Sequence, residues 1–282
     1  MATTLTNLLL DIRARLVETT ADFFSDAELT RLINFAYRRF SKETEWTERH
    51  RSYPFVANQF KYALPSDTIK VIMVRLNEQV RVWPRDLEEF TAATGANSAS
   101  ALGPDIYVEY PQGVSLQVYP RPSTASDSTT VSGSHTSSVT TISVASATAL
   151  PDRGVVLING SEQVRYYAKS GNDLQQCVRG DGGTTAASYS GSESVKLCEL
   201  DVYSVYQPAD LSAGSDTTAI PTIYDEVLIQ YAVGTALLKR DKYREAKFYI
   251  ELAEEGFKKA RAERDKATRD RHFVIKDDEV VG

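Results

Sequence analysis

The sequence predicts an α+β fold, with N- and C-terminal helices forming a helical bundle beside a short β-sheet and a small all-β domain inserted into it. Two observations lead there. The first is charge. Residues 1–92 carry 13 Lys/Arg and 13 Asp/Glu, residues 222–282 carry the same numbers, and residues 123–199 carry only 5 and 7 amid Ser, Thr, Gly and Val. The second is hydrophobic period, which is helical at both ends of the chain and close to two in the middle. The expected organisation is a discontinuous domain of residues 1–122 and 200–264, a linker and inserted β domain at 123–199, and a tail at 265–282 whose composition suits a segment that orders on binding.

Two helices open the chain. Leu5, Leu8, Leu9, Ile12, Leu16 and Val17 recur at helical spacing. Ser25-Asp26-Ala27-Glu28 reads as a capping box, in which the serine oxygen takes a free N–H of the next helix. Leu29, Leu32, Ile33, Ala36, Tyr37 and Phe40 give that helix its apolar stripe. The short connection favours an antiparallel pair. From residue 51 the pattern becomes strand-like, over 52–56, 59–64 and the β-branched run 69–76. Residues 86–94 suit a short helix, and 105–110 with 114–119 a hairpin around Pro111-Gln112-Gly113.

Residues 123–138 read as a Ser/Thr-rich linker with few apolar groups to offset the entropy of ordering. Strands are expected at 139–144, 154–158, 162–168, 174–177 and 195–197, with Asn159-Gly160 and Gly171-Asn172 as turns. The alternating run 200–206 is expected to rejoin the first sheet beside the 114–119 strand. Pro221 and Thr222 open a helix that Asp225 helps to cap. A longer helix starts at Asp241, with Tyr243, Ala246, Tyr249, Ile250, Ala253, Phe257 and Ala260 at helical spacing. Its later part, 258–271, is densely charged.

These patterns exclude several kinds of chemistry. Net charge is −6, so no bulk electrostatics favours nucleic acid. No membrane-length apolar run or secretory leader is visible. Cys177 and Cys198 lie outside any C-x-x-C pair and read as half-buried thiols, with one bridge between neighbouring strands as the other reading. His50, His135 and His272 fall in a loop, the linker and the tail, without ligand spacing, and read as surface residues. No catalytic, cofactor or metal site is expected. Gly180-Asp181-Gly182-Gly183 opens no helix and reads as a turn. Glu43, Glu45 and Glu48 interleave with Lys42 and Arg49 as an ion-paired face rather than a carboxylate pair across a cleft. Arg38, Arg39, Arg49 and Arg51 form a modest basic group, broken by those acids. Fifteen tyrosines fit either a tyrosine-rich core or an interface, and Trp83-Pro84-Arg85 has the chemistry of a contact anchor.

Several strings, in order, resemble phage head–tail adaptor proteins. They are Leu29-Thr30-Arg31-Leu32-Ile33-Asn34-Phe35-Ala36-Tyr37-Arg38-Arg39, the run Tyr62-Ala63-Leu64-Pro65-Ser66-Asp67-Thr68-Ile69-Lys70-Val71, and Tyr206-Gln207-Pro208-Ala209-Asp210-Leu211 followed by Ile220-Pro221-Thr222-Ile223-Tyr224-Asp225. Within the insert, residues 154–158, 162–166 and Val178-Arg179-Gly180-Asp181-Gly182-Gly183-Thr184 resemble a small β module of phage tail and connector proteins, with Tyr189 where that module often has a histidine. The resemblance implies a structural protein of the virion, assembled in the host cytoplasm at the portal vertex. It implies a homo-oligomeric ring of twelve copies that joins the portal protein to a tail or nozzle protein, with DNA passing through its lumen without specific contacts and no membrane involved. In that setting Lys258, Lys259, Arg261, Arg264, Arg269, Arg271, Phe273 and Ile275 are the expected portal- or neighbour-binding residues. The alternative is a tail-associated binding module whose β insert contacts a fibre or a host glycan, with a peptidoglycan hydrolase as a third reading. Deleting 123–199 separates the first two.

Overall fold

A computed structural model describes residues 3–18, 23–94 and 98–273. In chain order the elements are α1 (Leu5–Leu16), α2 (Asp26–Thr44), β1 (Glu48–Tyr53), β2 (Lys61–Ala63), β3 (Thr68–Leu76), β4 (Val80–Pro84), α3 (Leu87–Thr94), β5 (Ala99–Ser100), β6 (Ile106–Glu109), β7 (Ser115–Tyr119) and β8 (Arg121–Pro122). Then follow β9 (Ser128–Thr130), β10 (Thr141–Ser143), β11 (Gly154–Ile158), β12 (Glu162–Tyr166), β13 (Ala168–Ser170), β14 (Asp173–Gln175), β15 (Val178–Asp181), β16 (Ser194–Cys198) and β17 (Leu200–Tyr206), and finally a 3-10 turn at Thr222–Tyr224, α4 (Asp225–Lys239) and α5 (Tyr243–Phe273). They form two compact units, Met1–Glu48 with Val205–Gly282, and Arg49–Ser204.

The expected fold class is overturned. The chain is β-rich, and its main sheet has seven strands in the order β1-β17-β3-β4-β6-β7-β2. A helical bundle beside a short sheet is therefore the wrong description. The error has a physical source. In β1 (Glu48-Arg49-His50-Arg51-Ser52-Tyr53) Tyr53 is the one strand-forming residue among polar and charged ones, and Arg81 interrupts the short run of β4, so neither shows an apolar period. The sheet tolerates that pattern because its apolar core comes from neighbouring strands, through Val74, Val82, Leu116, Val118, Leu200 and Val202, and a strand needs only ladder bonds and one packed face.

In the helical unit, Thr4 caps α1 by accepting from the Asn7 N–H, and Ser25 caps α2 by accepting from Glu28. Arg13 ties the two together: its guanidinium donates to the Phe24 carbonyl at 3.0 Å and to Asp26 at 2.5 Å. Leu8, Ile12, Leu29, Ile33, Phe40, Leu228, Ala232 and Phe257 form one core. The helices α4 and α5 approach closely because Gly234 and Gly256 present no side chain. A Cβ on Gly234 would stand 2.7 Å from Ile250 Cγ1, and one on Gly256 2.5 Å from Val227 Cγ2.

In the second unit, β6 and β7 form the expected hairpin, and β4 pairs parallel to β6. The strand β17 lies between β1 and β3 rather than beside β7, so the expected neighbour is corrected. Residues 123–138 are not a free linker. Thr129 pairs with Val195, and His135 bridges to Tyr189. Alternating Ser and Thr satisfy a ladder without an apolar stripe, which is why composition reads them as loop. The β module is a five-stranded sheet, β15-β12-β11-β16-β9, with a three-stranded one, β10-β14-β13. Its core holds Val156, Ile158, Val164, Tyr166, Ile142 and Leu174.

Candidate functional site

The densest group of chemically capable side chains lies where the module meets the seven-stranded sheet. From the sheet come His50 and Ser52 on β1, Glu78 in the β3–β4 turn, and Asp201 on β17. From the module come Arg165 and Gln163 on β12 and Asp181 on β15. His50 is not the loop residue expected. It is a strand residue, half-buried, with its ring stacked 4.5 Å from that of Tyr203.

The hydrogen bonds fix the proton positions. Arg165 can only donate, and its Nη2 lies 2.7 Å from His50 Nδ1, so Nδ1 is the acceptor. Nε2 then carries the hydrogen and donates to Asp201 Oδ1 at 3.2 Å. The Ser52 hydroxyl donates to the same oxygen at 2.6 Å, and the Glu78 N–H to the other oxygen at 2.6 Å. Ser52, His50 and Asp201 therefore share residue types with a nucleophilic triad but not its roles. The histidine has no free nitrogen to take the serine proton, and Ser52 is 1% exposed.

His50, Glu78 and Asp201 also hold ligand atoms within 4.8 Å of one another, a donor set that a first-row divalent ion accepts. These atoms already have partners within the chain: Arg165 on His50 and Glu78, and the Ser52 hydroxyl and Glu78 N–H on Asp201. Arg165 is ion-paired to Glu78 and lies 3.1 Å from Asp181. Beside it, the Gln163 side-chain amide accepts from the Ser52 N–H at 3.2 Å and donates to the Ser52 carbonyl. It acts as one rung of ladder on the outer edge of β1. Gly182, with φ +63°, lets the module approach, since a Cβ there would stand 3.0 Å from the His50 carbonyl oxygen. A cleft of about 800 Å³ opens next to this group, lined by Glu78, Arg153, Arg165, Tyr167 and Glu199 among others.

A second polar centre sits inside the module. Glu162 is wholly buried. It takes the Arg179 guanidinium at 2.8 and 2.9 Å, the N–H groups of Gly180 and Ala187 at 3.0 and 2.8 Å, and the Tyr189 hydroxyl. Burial alone would raise the Glu162 carboxyl. The Arg179 and Tyr189 hydrogen bonds and the two backbone N–H groups outweigh it and hold the group below the usual carboxylate range. Cys177 and Cys198 are free and fully buried rather than half-buried, and burial pushes the Cys177 thiol up to about 11. Neither has the character of a reactive thiolate.

The residues expected to contact the portal or a neighbour divide into three groups. Lys258, Lys259 and Arg261 lie exposed on α5. Arg264 does not stand with them. Its side chain is 13% exposed and its Nη1 meets Glu45 at 3.0 Å, with Glu48 3.4 Å from Nη2. Arg269, Arg271 and Phe273 belong to the last turns of α5, and Ile275 lies outside the described residues. Sequence reasoning missed the Arg165 and Glu162 centres, because an isolated Arg or Glu in a Ser/Gly-rich strand gives no periodic signal. The tyrosines divide: Tyr37 and Tyr224 are core, whereas Tyr110, Tyr167 and Tyr243 are exposed, as is Trp83 beneath the Arg81 guanidinium. Among the described residues no helix is long and apolar enough to cross a membrane.

The charged side chains at this site join strands to one another, and the long helix α5 carries exposed cations at Lys258, Lys259 and Arg261. Residues 3–274 match the model of the SU10 adaptor protein family. The chain belongs to that family of phage adaptors and is a phage structural adaptor protein. Among curated proteins none matches it.

Proposed function

We propose that this adaptor forms a ring at the portal vertex that joins the portal protein to a tail or nozzle protein, with DNA crossing its lumen without specific contacts. The number of copies that fits the resemblance is twelve. Closed rotational assembly satisfies every copy's interface with the same patch pair and leaves no open end. The observation that carries the reading is family membership across residues 3–274, joined to the exposed basic row on α5. Lys258 and Arg261 make no ion pair among the described residues, so their charge is available to a partner. Lys259 is weakly tied to Glu263 at 4.0 Å. In this reading Lys258, Lys259 and Arg261, with Arg269, Arg271, Phe273 and Ile275, face the portal or a neighbour. The module acts as a rigid part of the adaptor, held to its sheet by Gln163 and Arg165.

The test is charge reversal with the cognate portal. Negative-stain images of portal mixed with the full chain are expected to show a ring below the portal. Lys258→Glu with Arg261→Glu is expected to lower portal-bound copies at least about tenfold, the equivalent of about 1.4 kcal/mol, with an unchanged melting temperature. A variant that decorates portals as the parent does overturns the docking role. Portals that carry no adaptor ring at all overturn the reading.

A further inference from the structure

One end of the helical unit is apolar and basic. There α1 and α2 meet the turn between α4 and α5: Arg240 donates to the Leu16 carbonyl at 3.1 Å and pairs with Glu18 at 2.9 Å, and Lys239 meets Glu28 at 2.5 Å. Side chains that a bundle normally buries are left in solvent at this end. Phe23 is 49% exposed, Leu238 40%, Tyr243 63% and, one turn further along α5, Phe248 58%. Large aromatics rimmed by charge mark contact surfaces. Residues 239–247 carry five basic side chains against two acidic ones. The pairs of Lys242 with Glu245 and Lys247 with Glu251, at 3.4 and 3.7 Å, are exposed and exchange readily for other partners.

The opposite character lies at the other end of the same helix. After Phe273 the chain continues Val274-Ile275-Lys276-Asp277-Asp278-Glu279-Val280-Val281-Gly282. This segment is apolar at both flanks, with three acids against one base between them. Length decides which copy it can meet. The 31 residues of α5 place its ends about 46 Å apart at 1.5 Å per residue. The acidic triplet, four to six residues after Phe273, can lie at most about 20 Å from it even when fully extended. It cannot return to the basic turn of its own chain.

We propose that residues 274–282 of one copy dock on the α4–α5 turn of a second copy, with Val274 and Ile275 against Tyr243 and Phe248, and Asp277, Asp278 and Glu279 against Lys242, Arg244 and Lys247. The contact is head-to-tail, the kind that closes rings, and it rests on the reading of the chain as a self-associating adaptor. It gives the tail a receptor within the assembly rather than on the portal.

The test is sedimentation velocity on the full chain with two charge-swapped variants, one carrying Lys242→Glu and Arg244→Glu, the other Asp277→Lys and Asp278→Lys. Lys242 and Arg244 are exposed, and an unchanged melting temperature in each variant checks that folding is preserved. Each variant alone is expected to self-associate at least about tenfold more weakly than the parent, and an equimolar mixture of the two to recover it, because each then offers the charge that the other lacks. Phe248→Ser is expected to weaken association about tenfold without recovery, as a truncated contact anchor does. The inference is overturned if the parent stays monomeric at its highest soluble concentration, if either swap leaves association unchanged, or if the mixture stays apart. Rings seen on portals in those cases would leave the adaptor reading intact and remove only this contact. Association with no ring on portals would do the reverse.

Discussion

Replacing Arg179 by Ala asks whether the module depends on its one deeply buried ion pair. Glu162 is fully buried and receives five donors, two of them from Arg179, whose side chain is itself 7% exposed. Arg179→Ala leaves a buried carboxylate with only Gly180, Ala187 and Tyr189 as donors, and frees the carbonyls of Thr136 and Ala187 that Arg179 also held at 2.8 and 2.5 Å. Removing one partner of a buried pair costs about 3–5 kcal/mol. Amide hydrogen exchange in β11 and β12 measures the opening of that sheet directly. At about 1.4 kcal/mol per factor of ten, exchange at Val156 and Val164 should speed up by about a hundred- to several-thousand-fold. The double variant Glu162→Leu with Arg179→Leu should lose less than the two single changes added together, since no charge is then stranded. An acceleration below tenfold in Arg179→Ala, or strict additivity, would refute the reasoning.

Other perturbations separate the remaining supports. Gln163→Ala strands the buried N–H and carbonyl of Ser52, at about 1–3 kcal/mol for each unpaired group, and should raise exchange of the Ser52 amide while Val82 on β4 stays protected. Gly234→Ala forces a Cβ against Ile250 and the Ala246 carbonyl; overpacking of about 1–3 kcal/mol outweighs the gain of about 1 kcal/mol in helix propensity, so the melting temperature should fall. Acid should weaken the module through Glu162. Its folded carboxyl titrates below the ordinary value of 4.5, so the support is complete above that pH and is lost as pH falls through the lower folded value; urea midpoints that stay flat from pH 5 to well below 4 would contradict this.

The helices were legible in the sequence because each carries its own evidence. Ser25 and Glu28 announce the start of α2, and Leu29, Ile33, Ala36 and Phe40 recur on one face. The hairpin of β6 and β7 announces itself through Pro111 and Gly113. Strands whose partners are distant in sequence did not. What identifies β1 as a strand is β17, about 150 residues away, together with the Gln163 amide on its other edge. Neither leaves a mark on residues 48–53. The polar clusters were illegible for the same reason. Arg165, Glu78 and Asp201 sit in different parts of the chain, and only their convergence gives them meaning. His50 read as a surface histidine because its two partners, Arg165 and Asp201, lie more than a hundred residues downstream.

The position of Arg264 changes how the charged end of α5 is to be understood. A run of basic residues on one helix reads as a single docking stripe, yet the helix turns its side chains through a full circle every 3.6 residues. Arg264 and Phe257 fall on the inner side, with the Ala260 carbonyl accepting from Trp46 Nε1 at 2.8 Å. Arg264 there offsets Glu45 and Glu48, which follow the C-terminal end of α2, where negative charge is unfavourable. Lys258 and Arg261 fall outside. A truncation before Arg264 therefore mixes two effects, since it removes every residue from 264 onward and also unties the end of α2. Loss of assembly in that truncation would be no evidence for docking, whereas loss in Lys258→Glu with Arg261→Glu would be, because those two side chains contribute nothing to the core that the helix encloses.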